Sequence, residues 1–113
     1  MNRTFLKSKL HKAVVTDANL HYRGSISICP KLMEAADLLE FEQVDVYNIN
    51  NGERLTTYVI VGNDAEICLN GAAARKAEPG DRVIIASFAS LSEEELQEFK
   101  PTIVMVTEQN RCE

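Results

Sequence analysis

The sequence predicts a mainly β fold, a small β-barrel carrying two short helices. Three observations carry that prediction. Apolar and polar residues alternate in many short runs, as in strands with one buried face. Asn50-Asn51-Gly52-Glu53 supplies the residues of a hairpin turn. Only two brief stretches carry helical spacing or helix-start signals, which leaves a barrel of short strands as the natural way to close the core. With 113 residues, 45% hydrophobic and 26% charged, the chain has a globular profile and the length of a single domain, 1–113. Composition does not choose the barrel's topology.

Taken in order, residues 3–15 alternate loosely, so that Lys7, Lys9 and His11 project to one face of a strand and Leu6, Ser8 and Leu10 to the other. A cationic stripe results. Asp17-Ala18-Asn19 reads as a turn, because Asp and Asn side chains bond local backbone groups, and Ser25-Ile26-Ser27-Ile28 resumes the alternation. Pro30 suits a first helical turn, and Leu32, Ala35, Ala36 and Leu39 form one apolar face of a helix that ends near Glu40. Strands over 44–49 and 54–61 flank the hairpin turn. Gly62-Asn63-Asp64 then turns the chain into a short apolar strand, Ile67-Cys68-Leu69.

Small side chains in Asn70-Gly71-Ala72-Ala73-Ala74 let backbone amides approach a ligand. The run is either a helix start whose free N–H groups face an anion or an ordinary short helix. After a turn at Glu78-Pro79-Gly80-Asp81, the β-branched run Arg82 to Phe88 reads as a buried strand. Ser92 with Glu95 makes a capping box, and Leu91 with Leu96 a hydrophobic staple, so a second helix spans about 93–99 until Pro101 stops it. Ile103 to Val106 is a last strand, and the polar end from Glu108 is expected to fray.

Several function classes drop out. The most apolar run, Val83 to Leu91, is too short to span a bilayer. Met1 to Lys9 lacks the apolar segment of a secretory signal, so a cytoplasmic location is expected. Cys29, Cys68 and Cys112 are odd in number without C-x-x-C spacing, which points to reduced thiols and to no metal. The net charge of −5 hides an asymmetry. Residues 1–31 hold Arg3, Lys7, Lys9, Lys12, Arg23 and Lys31 against Asp17 alone, while six basic residues face sixteen acidic ones beyond. The overall field repels nucleic acid. The basic segment either attracts a small anion or is a solvated edge.

The stretch that carries chemistry is Leu20-His21-Tyr22-Arg23-Gly24-Ser25, where a Gly-Ser bond joins a polar turn to a strand. The Gly24 carbonyl has no side chain to hinder attack by the Ser25 hydroxyl. A lone Gly-Ser pair is usually only a turn, and its company is what singles this one out. K-L-H-K, T-D-A-N-L-H-Y-x-G-S, N-N-G-E-R-L-T-T-Y, N-G-A-A-A and G-D-R-V-I-I-A-S follow one another from about Arg3 to Val106. Together they resemble the pyruvoyl-dependent aspartate 1-decarboxylases.

That resemblance implies a double-psi β-barrel assembled as a homotetramer, with active sites near subunit boundaries. It implies a zymogen that cuts itself into 1–24 and 25–113, leaving a pyruvoyl group derived from Ser25 as its covalent cofactor. Removing CO2 from an α-amino acid leaves an electron pair on Cα that no ordinary side chain accepts. A ketone joined to the amine as an imine does accept it, and cofactors normally supply such a sink. The substrate would be L-aspartate, and the product β-alanine for pantothenate and coenzyme A synthesis.

Gly24 and Ser25 would be the processed pair, with Thr57 implicated in processing. Tyr22 and His11 are either proton carriers or packed side chains. Arg54 and Lys9 would meet the two substrate carboxylates in an order the sequence leaves open. Tyr58 would return a proton to Cα, Asn70 would bond the ketone beside Gly71 and Ala72, and Tyr47 would line an aromatic wall. Arg23 and Tyr47 depart from the family's common acidic residue and tryptophan. Adjacent strand residues point to opposite faces, so Thr57 and Tyr58 need a twist, a bulge or a neighbouring subunit to share a site. A maturation partner is left open. The rival reading is a non-enzymatic barrel that binds an anion or a protein, which would need the cationic stripe but neither Ser25 nor Tyr58.

Overall fold

Alternation along the N-terminal segment builds the longest strand of the computed structural model, which describes residues 1–113. β1 (Arg3–Val14) pairs antiparallel with β7 (Arg82–Leu91) and parallel with β8 (Thr102–Met105). β2 (Asp17–Asn19) lies parallel to β6 (Ile67–Asn70), and β3 (Ser25–Ile28) parallel to β5 (Arg54–Val61). With β4 (Gln43–Asn48), the order is β2-β6-β3-β5-β4-β7-β1-β8 in one eight-stranded sheet. It curls on itself as a small β-barrel. Parallel neighbours cannot be joined by tight hairpins, so the chain crosses over itself, the arrangement expected of a double-psi barrel. Inside, one cluster of 20 buried residues includes Leu10, Ile26, Leu32, Val46, Val59, Leu69 and Ile85.

Most elements fall where alternation puts them. Asp17 to Asn19, read as a turn, instead pairs with β6 as a short strand. Gly52 takes a positive φ of 76° in the hairpin between β4 and β5, and Ser92 and Glu95 exchange both bonds of the capping box. α2 (Glu93–Leu96) is nevertheless shorter than expected.

α1 (Pro30–Ala35) also stops early. Asp37 adopts a left-handed φ of 53°, its N–H bonds the Glu34 carbonyl, and the Leu38 N–H bonds the Met33 carbonyl. These are the paired bonds of a Schellman ending, and Lys7 Nζ fixes the reversed residue by donating to the Asp37 carbonyl at 2.6 Å. Leu39 therefore lies outside the helix and is 71% exposed. A 3₁₀ helix, Gly71–Lys76, is a third short helix. The strand over 82–88 runs on to Leu91, and Phe88 near its end is exposed.

The expected fraying of the tail is overturned. Val106 bridges Cys112, the Thr107 N–H bonds the Arg111 carbonyl, and Arg111 forks onto Asp64. Asn110, left-handed at φ 56°, is buried. Its Oδ1 accepts from the Val14 N–H at 2.8 Å, and its Nδ2 donates to the carbonyls of Val14 at 2.8 Å and Ala65 at 2.9 Å. Asn110→Ala removes three bonds and places alanine where φ is positive. It is expected to cost about 2–4 kcal/mol, read as a lower urea midpoint at fixed protein concentration. An unchanged midpoint would show the tail to be dispensable.

Candidate active site

β3 and β6 are antiparallel, with Ser25 opposite Asn70 and Ser27 opposite Cys68. Cross-strand partners point to the same side of a sheet, so these four short polar side chains meet on the face opposite the core residues Ile26, Ile28, Ile67 and Leu69. Ser25 is 1% and Asn70 3% exposed. Asn70 Nδ2 donates to Ser25 Oγ at 3.1 Å and to Ser27 Oγ at 3.0 Å, while Cys68 Sγ donates to Asn70 Oδ1 at 3.2 Å. Ser25 Oγ in turn donates to the Arg23 carbonyl at 3.1 Å. The hydroxyl is thus held from both sides next to the Gly24-Ser25 bond. Burial, and after it the charges of Asp17 and Glu66, push the Cys68 thiol up from its ordinary pKa, so it remains a protonated donor.

Gly24 lies over the start of the 3₁₀ helix. A Cβ on Gly71 would sit 2.6 Å from Gly24 N and 2.7 Å from its Cα, and Gly71 itself has a φ of 64°. Only glycine fits there. Gly24, in contrast, has nothing within 4 Å of a Cβ built on it. It opens into a cavity of about 410 Å³ lined also by Leu55, Thr56, Thr57, Tyr58, Ala72 and Lys76.

Four consecutive residues of β5 line that cavity, and the pairing explains how. β4 covers one edge of β5 from Arg54 to Tyr58, but β3 covers the other edge only from Val59 onward. The cavity runs along the uncovered edge, so Thr57 and Tyr58 both reach it from a strand whose register with β4 is unbroken. No bulge or second subunit is required for that pair. Continuing the register of Ile26 with Val59 backwards sets Gly24 against Thr57. Tyr58, 37% exposed, keeps its ring 6.3 Å from that of Phe41. Tyr22 is on the exposed turn and lines a separate cavity of about 270 Å³ with Asp17, Ser27, Glu66, Cys68 and Asn70.

The remaining candidates form a second group. Lys9 pairs with Ala86, which pairs with Asp45, which pairs with Thr56; Tyr47 pairs with Ile84 and with Arg54. Lys9 and His11 therefore share a sheet face with Asp45, Tyr47 and Arg54. Arg54 Cζ stacks 4.1 Å from the Tyr47 ring centroid, and the Tyr47 hydroxyl donates to Asp45 Oδ2 at 3.1 Å. Burial and the Asp45 partner raise the tyrosine's pKa. Lys7, expected in the same stripe, is taken by Glu42 at 2.6 Å. His11 Nδ1 is buried without a partner, and burial together with Lys9, Lys12 and Arg82 lowers the ring's pKa.

Within one chain the two groups do not meet. β5, β4 and β7 lie between β3 and β1, and Arg54 is four residues, about 13 Å at ~3.3 Å per residue, from Tyr58 along β5. The structure thus gathers Gly24, Ser25, Thr57, Tyr58, Asn70, Gly71 and Ala72 in one place and Lys9, His11, Tyr47 and Arg54 in another. Ser27 and Cys68, which hold Asn70, were not singled out by the sequence. Their signal was the i, i+2 spacing to Ser25 and Asn70, legible only once β3 and β6 are known to pair. No three His, Cys, Asp or Glu side chains stand together as metal ligands, and no helix is long and apolar enough to cross a membrane.

A family model described as aspartate decarboxylase matches residues 1–113. The chain is 59% identical over 113 residues to an aspartate 1-decarboxylase of Syntrophus aciditrophicus, covering 98% of this chain and 97% of the relative. It is 56% identical over 110 residues to one from Hydrogenobaculum, covering 97% and 88%. The aspartate 1-decarboxylase of Bdellovibrio bacteriovorus is 53% identical over 111 residues, covering 98% and 90%.

Proposed function

The chain belongs to the aspartate decarboxylase family, and from that premise we propose that it decarboxylates L-aspartate to β-alanine with a pyruvoyl group that it makes from Ser25. The observation that carries this reading is the buried Ser25 hydroxyl, bonded to Asn70 and to the Arg23 carbonyl beside a Gly24 that opens into a cavity.

Maturation starts when Ser25 Oγ attacks the Gly24 carbonyl carbon, breaking the C–N bond, forming an ester and freeing the amine of residue 25. Loss of the Cα proton and of the Gly24 carboxylate breaks the ester's Cβ–O bond. Water then replaces the nitrogen, released as ammonia, and leaves a ketone. Fragments 1–24 and 25–113 result. Amide-to-ester exchange is uphill, and donors near the Gly24 oxygen favour it; the register that sets Thr57 against Gly24 fits that part. The finished ketone, joined to the substrate amine, would accept the electrons that CO2 leaves behind. Its place at residue 25 fits the surroundings, since Asn70 already presents an amide N–H to that side chain. Tyr58, which lines the cavity with Ala72, supplies the proton to Cα, and Gly71 lies against Gly24 beside them.

Lys9 and Arg54 are the cations for the substrate carboxylates, with His11 and Tyr47 around them. Because one chain keeps this group away from Ser25, a site completed by a second copy fits best, in line with a homotetramer. A cytoplasmic enzyme feeding pantothenate and coenzyme A synthesis follows from the same reading. Intact mass with a product assay tests it. Two fragments, the larger blocked to N-terminal sequencing, with β-alanine formed from aspartate and not from glutamate, are expected. A single uncut species after prolonged warming, without product, would instead favour an anion-binding barrel. Arg54→Ala should raise KM for aspartate about 10- to 100-fold, the worth of a charge-assisted bond, while cleavage proceeds. An unaltered KM would remove Arg54 from substrate binding.

A further inference from the structure

We propose that Cys68 is a positioning residue for Ser25. Its S–H, donated to Asn70 Oδ1 at 3.2 Å, holds the Asn70 amide with the NH2 group turned to Ser25 and Ser27. This deepens the self-processing reading above and rests on it.

A primary amide is nearly symmetric in shape, so only its neighbours decide which end faces Ser25. Ser25, whose own proton goes to the Arg23 carbonyl, favours the NH2 end, but that bond yields if the amide reverses, and Ser27 takes either end, because a hydroxyl both donates and accepts. Cys68 reinforces the NH2 orientation from the opposite end, as the only side chain bonded to Asn70 Oδ1. A thiol donates weakly and accepts weakly, but its proton is secured: burial, then the Asp17 and Glu66 carboxylates, disfavour the thiolate.

The consequence falls on the nucleophile. With NH2 toward it, Ser25 Oγ receives the Asn70 proton at 3.1 Å and gives its own to the Arg23 carbonyl at 3.1 Å, which leaves one lone pair free beside the Gly24 carbonyl. With the amide reversed, Oδ1 faces Ser25 and takes the hydroxyl proton, and the Arg23 carbonyl loses its partner. Cys68 is 5% exposed, but it stands outside the hydrophobic core cluster and lines the cavity shared by Asn70, Ser27 and Tyr22. A smaller residue there disturbs little else.

The test compares wild type with Cys68→Ala, Cys68→Val and Cys68→Ser. The first two lack a donor at smaller and similar volume; serine keeps one. Solvent exchange of the Asn70 side-chain NH2 protons, followed by NMR, reads the amide directly. Exchange about tenfold faster in the alanine and valine variants, with serine at the wild-type rate, is expected for loss of one hydrogen bond. In the same order, the cleavage half-time should lengthen about five- to tenfold in the two donorless variants and return in the serine variant. Equal exchange in all four proteins overturns the proposal, as do equal half-times in folded donorless variants. A wild-type chain that never cleaves sinks the self-processing reading instead, and NH2 exchange then decides the role of Cys68 alone. Should alanine fail to fold, valine carries the comparison.

Discussion

Ser25→Ala is expected to stay one chain of about 12.6 kDa through prolonged warming, to form no β-alanine, and to carry no carbonyl that reacts with borohydride. In the proposed mechanism the loss is complete, because both the cut and the ketone depend on this one oxygen. Folding should survive. The substitution removes two bonds, but Asn70 Nδ2 keeps its bond to Ser27 Oγ at 3.0 Å and the Arg23 carbonyl belongs to an exposed turn, so the cost is about 1–2 kcal/mol. Strand content by circular dichroism should match wild type. β-Alanine from a folded, uncut Ser25→Ala chain would end the pyruvoyl account outright.

Tyr58→Phe should separate maturation from turnover. The ring keeps its place 6.3 Å from Phe41, since that contact does not involve the hydroxyl, and the chain should cleave at the wild-type rate. Turnover should fall about 10²- to 10⁴-fold, the usual worth of a placed proton donor. The fall belongs in kcat rather than in KM, because the substrate carboxylates are assigned to Lys9 and Arg54. A kcat that does not move would take Tyr58 out of the chemistry, and a chain that no longer cleaves would place it in maturation.

Where local signals suffice, the fold was legible in the residues. Alternation gave β1, β3 and β4, the hairpin turn at Gly52 gave β5, a β-branched run gave β7, and Ser92 with Glu95 gave the start of α2. What failed depended on distant partners. α1 ends early because Asp37, lacking glycine's freedom, is fixed left-handed with Lys7 bonded to its carbonyl. The tail is ordered because Asn110 reaches Val14 and Ala65, residues far off in the sequence. Thr57 and Tyr58 point to opposite faces of β5 yet share a cavity, because β3 joins only at Val59 and leaves the edge beside them bare. Motifs named both groups of site residues. Only the strand order, with three strands between β3 and β1, separates them.

The pairing of β1 along nearly its whole length with β7, and of its centre with β8, bears on what a break after Gly24 would do. The short piece supplies an interior plank of the barrel wall, and β2, also on it, is zipped to β6. Scission therefore trims a covalent link without dismantling anything: the severed halves stay interlocked, and native handling would never part them. The new chain end gains freedom only over the few residues between Asn19 and Ser25, where the turn has already left the sheet.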